Sequence, residues 1–405
     1  MRRALVLWLL LFGVYAATLG LHDQTGDAAH YLLATESLQH DGDVDVLNQY
    51  AERGVRPRGE LTAGRLNEPY GIGFPLLILP AHALGGDDAV ELFLAAIAAL
   101  AIALAYALAR KAAPDPWALG AAAAIGLSPP LLAYGTAIYP ELAAGAVLAG
   151  AALLAVRLDS QPSWRLAFPC FLLLGTLPWL GVRFVPAGIV VGLVAARSLW
   201  HSHRRTLTIG SVEVALFSVA LFVGINEALY EGPTPYSAAD SATGASSVAD
   251  YLERVPRVAT LFVDPDFGLL RWAPLFALVF LGLWWLWRAR HDHLARAVSQ
   301  LYEVELTAGL CAAVLAVQLG VAVALAPSAD TLPFAGRHLI PALPLAAPLV
   351  ALGLRRAPRA GVALALVTVA ISAALYVEAR SGDGALRAAS HQLSSRPTNT
   401  LGLST

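Results

Sequence analysis

RLAFPCFLLLGTLPWLGVRFVPAGIVVGLVAARSL occupies residues 165–199. Apart from Arg165 and Arg197 near its ends, Arg183 is its only charged residue. A helix needs about 20 apolar residues to cross a bilayer, so this run is long enough for two short crossings. The segment PWLGVRFVP, with two prolines and a glycine, is a natural break between them. Whether the run crosses once or twice sets the side on which every later loop falls, and the arginines decide it. Loops on the cytoplasmic side carry an excess of Arg and Lys. With two crossings, Arg2/Arg3, Arg110/Lys111, Arg157/Arg165, Arg204/Arg205, Arg288/Arg290/Arg296 and Arg355/Arg356/Arg359 all fall on one side. With one crossing, the later clusters would land outside.

The composition supports many membrane segments. Of 405 residues 57% are hydrophobic and 14% charged, and the mean hydropathy is +0.62. Soluble domains are about a quarter charged. The excess of apolar residues is too large for one buried core, so many outer faces meet lipid. A net charge of -2 gives no basic surface for nucleic acid. Cys170 and Cys311 each lie inside an apolar run and make no disulfide framework or CxxC site.

Further runs long enough to span fall near 4–21, 88–109, 117–134, 140–157, 206–228, 270–287, 304–326, 338–354 and 361–378. With the two in 165–199 they predict an all-α polytopic bundle of about eleven transmembrane helices. The first run, preceded by Arg2 and Arg3, reads as an uncleaved signal anchor rather than a cleaved leader. The N-terminus is then cytoplasmic, and the polar tail, 379–405, is external. We read 1–405 as a single transmembrane domain with two long external loops, 22–87 and 229–269. In the first loop, GIGFPLLILPAHALGG (71–86) is too short and too interrupted by proline to span, and reads as an interfacial helix. The second is rich in Ser, Ala and Gly over 237–250 and is expected to be mobile there.

Ionisable residues collect at the external mouths of these helices. In GDAAHY, a helix beginning near Asp27 puts Asp27, His30 and Tyr31 on one face. A capping carboxylate with two headgroup-level rings is the plain reading. A carboxylate placed to accept a proton is the functional one. In YGTAIYPELAAG, Glu141 follows Pro140 at a helix start, which suits the helix dipole and also puts a second acid on the same face as Asp27. Arg183 and, in FAGRHLIPALPL, Arg337 and His338 stand at external mouths, against the charge bias. Snorkelling to lipid headgroups would explain them. So would binding of an anionic group, since Arg grips phosphate with a two-pronged fork. Arg271, in GLLRWAP, is a third arginine of this kind.

No metal motif is complete. Asp41, Asp43, Asp45 and Glu52 have the spacing of a calcium loop, but Val46 stands where glycine is required, so a solvated acidic turn is expected. YGIGFP lacks the third glycine and the lysine of a phosphate loop, so no nucleotide-binding domain is visible.

The Asp of GDAAHY just after the first membrane helix, the long first external loop and the acid of YPE resemble the GT-C superfamily of integral-membrane glycosyltransferases. GDVDVLNQY, DPDFGLLRWAP and GRHLIPALP are similar to a bacterial branch of it, the protein mannosyltransferase and aminoarabinose transferase types. Many members carry Asp-Glu where this chain has Asp27-Ala28, which removes one acid and leaves a role for a divalent cation open. The resemblance implies a GT-C-type bundle in the bacterial plasma membrane with its catalytic face outside. It implies a polyprenyl-phosphate-sugar donor and a glycan, lipid or protein acceptor. Sugar transfer would invert the configuration, with Asp27 as general base. Glu141 would position the acceptor or share that role. Arg183, Arg337, His338 and Arg271 would face the donor phosphate, and His30 and Tyr31 would line the cavity. No cofactor beyond that open divalent cation is expected. The competing readings are a transporter or flippase for a lipid-linked substrate, a polysaccharide ligase or polymerase, and a membrane scaffold. Transporters carry polar residues at the midplane and inverted repeats, whereas this chain gathers its ionisable groups at one face and shows no repeat.

Overall fold

The fold is that of a computed structural model, in which residues 2–21, 27–53, 61–62, 65–67, 69–238, 248–264, 268–290, 299–325 and 337–381 are described. Helix α1 is Arg2–Ala16. Between α1 and α4 lie α2 (Asp27–His40), α3 (Leu47–Arg53) and an antiparallel strand pair, β1 (Leu61–Thr62) with β2 (Arg65–Leu66). Then come α4 (Gly73–Ala112), α5 (Trp117–Gly126), α6 (Pro129–Tyr134), α7 (Glu141–Ser160), α8 (Trp164–Leu180), α9 (Val185–His201) and α10 (Arg205–Tyr230). After α10 come the short helices α11 (Val248–Glu253), α12 (Arg257–Val263) and α13 (Leu269–Trp272). The chain ends in α14 (Ala277–Arg290), α15 (Ser299–Leu325), a 3-10 run over Arg337–Ala346, α16 (Ala347–Arg356) and α17 (Pro358–Arg380). Among the described residues, seven helices are long and apolar enough to cross a membrane.

The stretch 165–199 folds as two helices. α8 stops at Leu180, a 3-10 turn spans Val182–Phe184, and α9 starts at Val185. The two helices pack on each other, with Leu177 of α8 seated where a Cβ on Gly188 of α9 would collide with it. α4 is too long to be one crossing. Its 40 residues would span about 60 Å, twice the hydrocarbon thickness. It breaks at Gly85 and Gly86, where Gly86 takes φ 64°, open to glycine at little cost. The part before the break is the segment read as interfacial, and the part after it matches the span expected at 88–109.

Two expectations shift. The run 117–134 is not one helix. Ser128, ahead of Pro129 and Pro130, is extended (ψ 150°), so α5 ends at Gly126 and α6 starts afresh at Pro129. The first run, 4–21, is helical only to Ala16, followed by a turn through Gly20 at φ 69°. The calcium-like spacing is used by the loop itself. Asp41 accepts from the side-chain amides of Asn48 (2.9 Å) and Gln49 (2.6 Å), which hold its carboxyl below the usual range. Asp45 caps Leu47 N (3.1 Å) and Leu66 N (2.9 Å). Among the described residues no group of three or more His, Cys, Asp or Glu is placed to hold a metal. Most of the Ser/Ala/Gly-rich stretch, and the tail beyond 381, lie outside the described residues.

Alanine fills the helix contacts. Ala95, Ala98, Ala99 and Ala105 of α4, Ala118, Ala121 and Ala122 of α5, and Ala144, Ala149 and Ala152 of α7 are buried. Small side chains let backbones approach closely where no water drives helices together. At the centre lies the 3-10 run with α16, 89% buried, while α10 is only 17% buried and faces outward. Pro341 and Pro344 lack the N–H groups an α-helix needs, so Arg337–Ala346 winds as 3-10. It lies so close to α7 that a Cβ on Gly145 would stand 3.0 Å from the Pro341 carbonyl oxygen. That contact is one helical turn from Glu141, and it sets the position of Arg337 at the start of the run.

Candidate functional site

Four charged side chains far apart in sequence meet at the N-terminal end of α7. Glu141, fully buried, accepts from Arg183 Nη2 at 2.8 Å and from Arg337 Nε at 2.6 Å, both on Oε1. Arg337 Nη1 reaches on to Asp27 Oδ2 at 2.5 Å. The other oxygen of Asp27 accepts from the Tyr70 hydroxyl at 2.8 Å. Arg337 thus bridges the two acids, and it lies 4.3 Å from the centre of the Tyr139 ring. Arg183 stands 5.0 Å from the Phe184 ring. Two carboxylates and two guanidinium groups balance in charge, which is what lets them sit together with so little water.

The cluster leaves hydrogen-bonding capacity unused. Glu141 Oε2, Arg183 Nε, Arg337 Nη2 and His338 Nδ1 are buried with no partner. An unmatched buried donor or acceptor costs about 1–3 kcal/mol, so these four atoms make the cluster a candidate site for a polar ligand. The backbone carbonyl of His338 accepts from Gln318 Nε2 at 2.7 Å, tying this end of the 3-10 run to α15.

Most residues expected from sequence converge. Asp27, Glu141, Arg183 and Arg337 form the ion-pair cluster, and His338 adjoins it. His30 and Tyr31 are buried one turn beyond Asp27. His30 stacks on Tyr70 (5.2 Å between ring centres) and hydrogen-bonds the Tyr50 hydroxyl. Tyr31 packs edge-on against Tyr70 and Phe74, and burial raises its phenol well above the usual range, which keeps it neutral. Arg271 differs: it is exposed on α13, with its guanidinium 5.5 Å from the Trp272 ring. Tyr70 and Tyr139 were missed by the sequence reading. Both lie inside motifs it quoted, YGIGFP and YPE, where no spacing rule flags a tyrosine that touches a distant charge.

A cavity of about 860 Å³ lies between α4, α7, α8 and α10. Its near end is formed by Gly73, Ala143 and Leu180, each two or three residues from Tyr70, Glu141 or Arg183. Its walls are Leu76, Leu100, Leu104, Val147, Leu154 and Leu173, and its far end reaches Arg157. Trp179, Ser218 and Thr176 in the wall are already paired: Trp179 Nε1 donates to Ser218 Oγ at 3.1 Å, which donates to Gly175 O at 2.7 Å, and Thr176 Oγ1 donates to Leu173 O at 2.7 Å.

No family model matches the sequence, and no curated protein matches it. Two solved structures are similar at low identity. One is the Archaeoglobus fulgidus oligosaccharyltransferase in complex with Zn and sulfate, 13% identical, with 96% of this chain and 53% of that one covered and a TM-score of 0.47. Another is the archaeal oligosaccharyltransferase AglB from Archaeoglobus fulgidus in complex with an inhibitory peptide and a dolichol-phosphate, 15% identical, with 94% and 56% covered and a TM-score of 0.49. The chain spans about half the length of these structures.

Proposed function

We propose that this chain is a membrane glycosyltransferase of GT-C type that moves a sugar from a polyprenyl-phosphate donor to an acceptor hydroxyl at the external membrane face. One observation carries the reading: a largely buried arginine cluster with unpartnered donor atoms lies two or three residues along the chain from Gly73, Ala143 and Leu180, which line one end of a long apolar cavity. A lipid phosphate has the same two parts. Its headgroup needs fixed cations, and its chain needs an apolar channel that starts beside them. The resemblance of GDAAHY and YPE to the superfamily points the same way. The eleven crossings, the single domain and the external placement of the site belong to this proposal.

In the reaction Asp27 accepts the acceptor's hydroxyl proton. The oxygen attacks the sugar's anomeric carbon from the face opposite the phosphate. The bond from that carbon to the phosphate oxygen breaks, and its electron pair leaves on the lipid phosphate. The anomeric configuration inverts. Arg183 and Arg337, with unused N–H groups, take up the charge that builds on the leaving phosphate. His338 adds a ring nitrogen beside them. Arg271, exposed on α13, is assigned to the approach of the headgroup rather than to the cluster. Glu141, wholly buried and engaged by both arginines, fixes them in place rather than taking the proton.

Before donor binds, Asp27 is engaged on both oxygens. The donor phosphodiester carries one negative charge, as Asp27 does, and competes with it for Arg337, so its arrival frees Asp27 Oδ2 for the proton.

The test is sugar transfer from polyprenyl-phosphate sugars by purified protein, read as release of free polyprenyl phosphate. Asp27→Asn keeps the shape and removes the base, so transfer should fall by about 10²–10⁴-fold with the fold intact. Turnover equal to the unaltered chain would end the assignment.

A further inference from the structure

A second polar pocket lies at the opposite end of the bundle. α7 runs from Glu141 at the ion-pair cluster to Asp159 near its last residue, a rise of about 27 Å at about 1.5 Å per residue. That is close to the hydrocarbon thickness of about 30 Å, so if α7 spans, Asp159 sits at the other interface. Here Asp159 Oδ1 accepts from Ser198 Oγ of α9 (3.2 Å) and from the Tyr302 hydroxyl of α15 (3.3 Å). These three groups, with Arg197 and His201, border a cavity of about 150 Å³. Among the described residues Asp159 Oδ2 accepts no hydrogen bond, and neither Arg197 nor His201 has an ion-pair or hydrogen-bond partner for its side chain.

The pocket is graded along its helices. On α9, His201 and Arg197 lie at the helix end and Val194 one turn inward. On α15, Tyr302 lies at the end and Leu306 one turn inward. A ligand held here is polar outside and apolar toward the bilayer. It must also satisfy two signs of charge. A plain anionic headgroup would meet Arg197 but face Asp159 with nothing to offset it. A quaternary ammonium is recognised by a cage of aromatic rings, and this pocket has one phenol ring, one imidazole and several hydrogen-bonding groups.

We propose that this pocket binds the headgroup of a zwitterionic phospholipid bearing a primary amine, the phosphate on Arg197 and His201 and the ammonium on Asp159. The site is independent of the transferase reading and stands whether or not the external cluster moves a sugar.

The experiment is native mass spectrometry of the detergent-purified chain, titrated with phosphatidylethanolamine, phosphatidylcholine or phosphatidylglycerol, and with soluble phosphoethanolamine. Phosphatidylethanolamine should bind about tenfold more tightly than the other two lipids, the worth of one charge-assisted hydrogen bond. Asp159→Asn should erase that preference, and Arg197→Ala should weaken phosphatidylethanolamine and phosphatidylcholine alike. The lipid comparison uses the unaltered chain and so does not depend on how either variant folds. Equal affinity for phosphatidylethanolamine and phosphatidylglycerol would overturn the proposal. So would a preference that survives Asp159→Asn. Soluble phosphoethanolamine binding as tightly as the lipid would overturn a lipid as the ligand.

Discussion

Glu141→Gln tests the ion-pair cluster most directly. Glu141 is fully buried, and nitrogen atoms of two arginines lie 2.8 and 2.6 Å from the same oxygen of it. Glutamine keeps the shape and one carbonyl acceptor but removes the charge. The two guanidinium groups are then left close together, with Asp27, which contacts only Arg337, as the remaining carboxylate. At about 5 Å and an effective dielectric of about 20, two like charges repel by about 3 kcal/mol. Removing one partner of a buried pair costs about 3–5 kcal/mol by itself. A loss near 3 kcal/mol is expected, because the amide still accepts one hydrogen bond. The assay is the unfolding free energy of the detergent-purified chain from a denaturant titration, with transfer activity followed in parallel. The charge-balanced double variant, Glu141→Gln with Arg183→Gln, should recover a large part of the loss, since the unpaired cation is gone. A Glu141→Gln chain within about 0.5 kcal/mol of the unaltered one would refute the reasoning, as that is the scale of an ordinary surface substitution. So would a double variant no more stable than the single one.

Asp27→Asn should behave in the opposite way, losing transfer while costing little stability, because Asp27 is a quarter exposed and contacts only one of the arginines; a large drop in unfolding midpoint would make it a structural acid instead. Tyr70→Phe removes the hydroxyl that donates to Asp27 at 2.8 Å. It should cost about 0.5–1.5 kcal/mol of stability and lower kcat more than it raises KM in steady-state transfer. Gly145→Ala places a Cβ 3.0 Å from the Pro341 carbonyl, which shifts the 3-10 run and should weaken transfer while costing about 1–3 kcal/mol as overpacking, read by the same unfolding titration. Gly150→Leu fills the wall of the long cavity, where a Cβ would already stand 3.5 Å from Leu173. It should raise KM for long-chain donors and spare short-chain ones, and equal effects on both would place the lipid chain elsewhere.

How far the sequence carried depends on which contacts are local. The runs of apolar residues and the glycine and prolines of PWLGVRFVP act within one turn of chain, and α8 and α9 follow them. The same rule was available at Ser128, ahead of Pro129 and Pro130, where hydropathy alone joined α5 to α6 into one span. Counting arginines put Asp27, Glu141, Arg183 and Arg337 on one face. It could not show that a single guanidinium spans both acids. That pairing links positions 310 residues apart and depends on how closely the 3-10 run settles against Gly145. Tyr139 and Tyr70 escaped for the same reason. An aromatic ring beside a charge is ordinary in sequence, and only the packed fold shows that the charge rests against it.

The charge balance of the ion-pair cluster has a kinetic meaning. Two cations and two anions held within a few ångströms cast little field beyond the mouth of the cavity, so the empty site has scant power to draw a phosphate through solution. A donor would be gathered by diffusion within the bilayer, its chain entering the apolar channel first and its headgroup exchanging partners with Arg337 at the end. Association rates should therefore change little between low and high salt, and should vary instead with how freely the carrier lipid moves in the surrounding membrane.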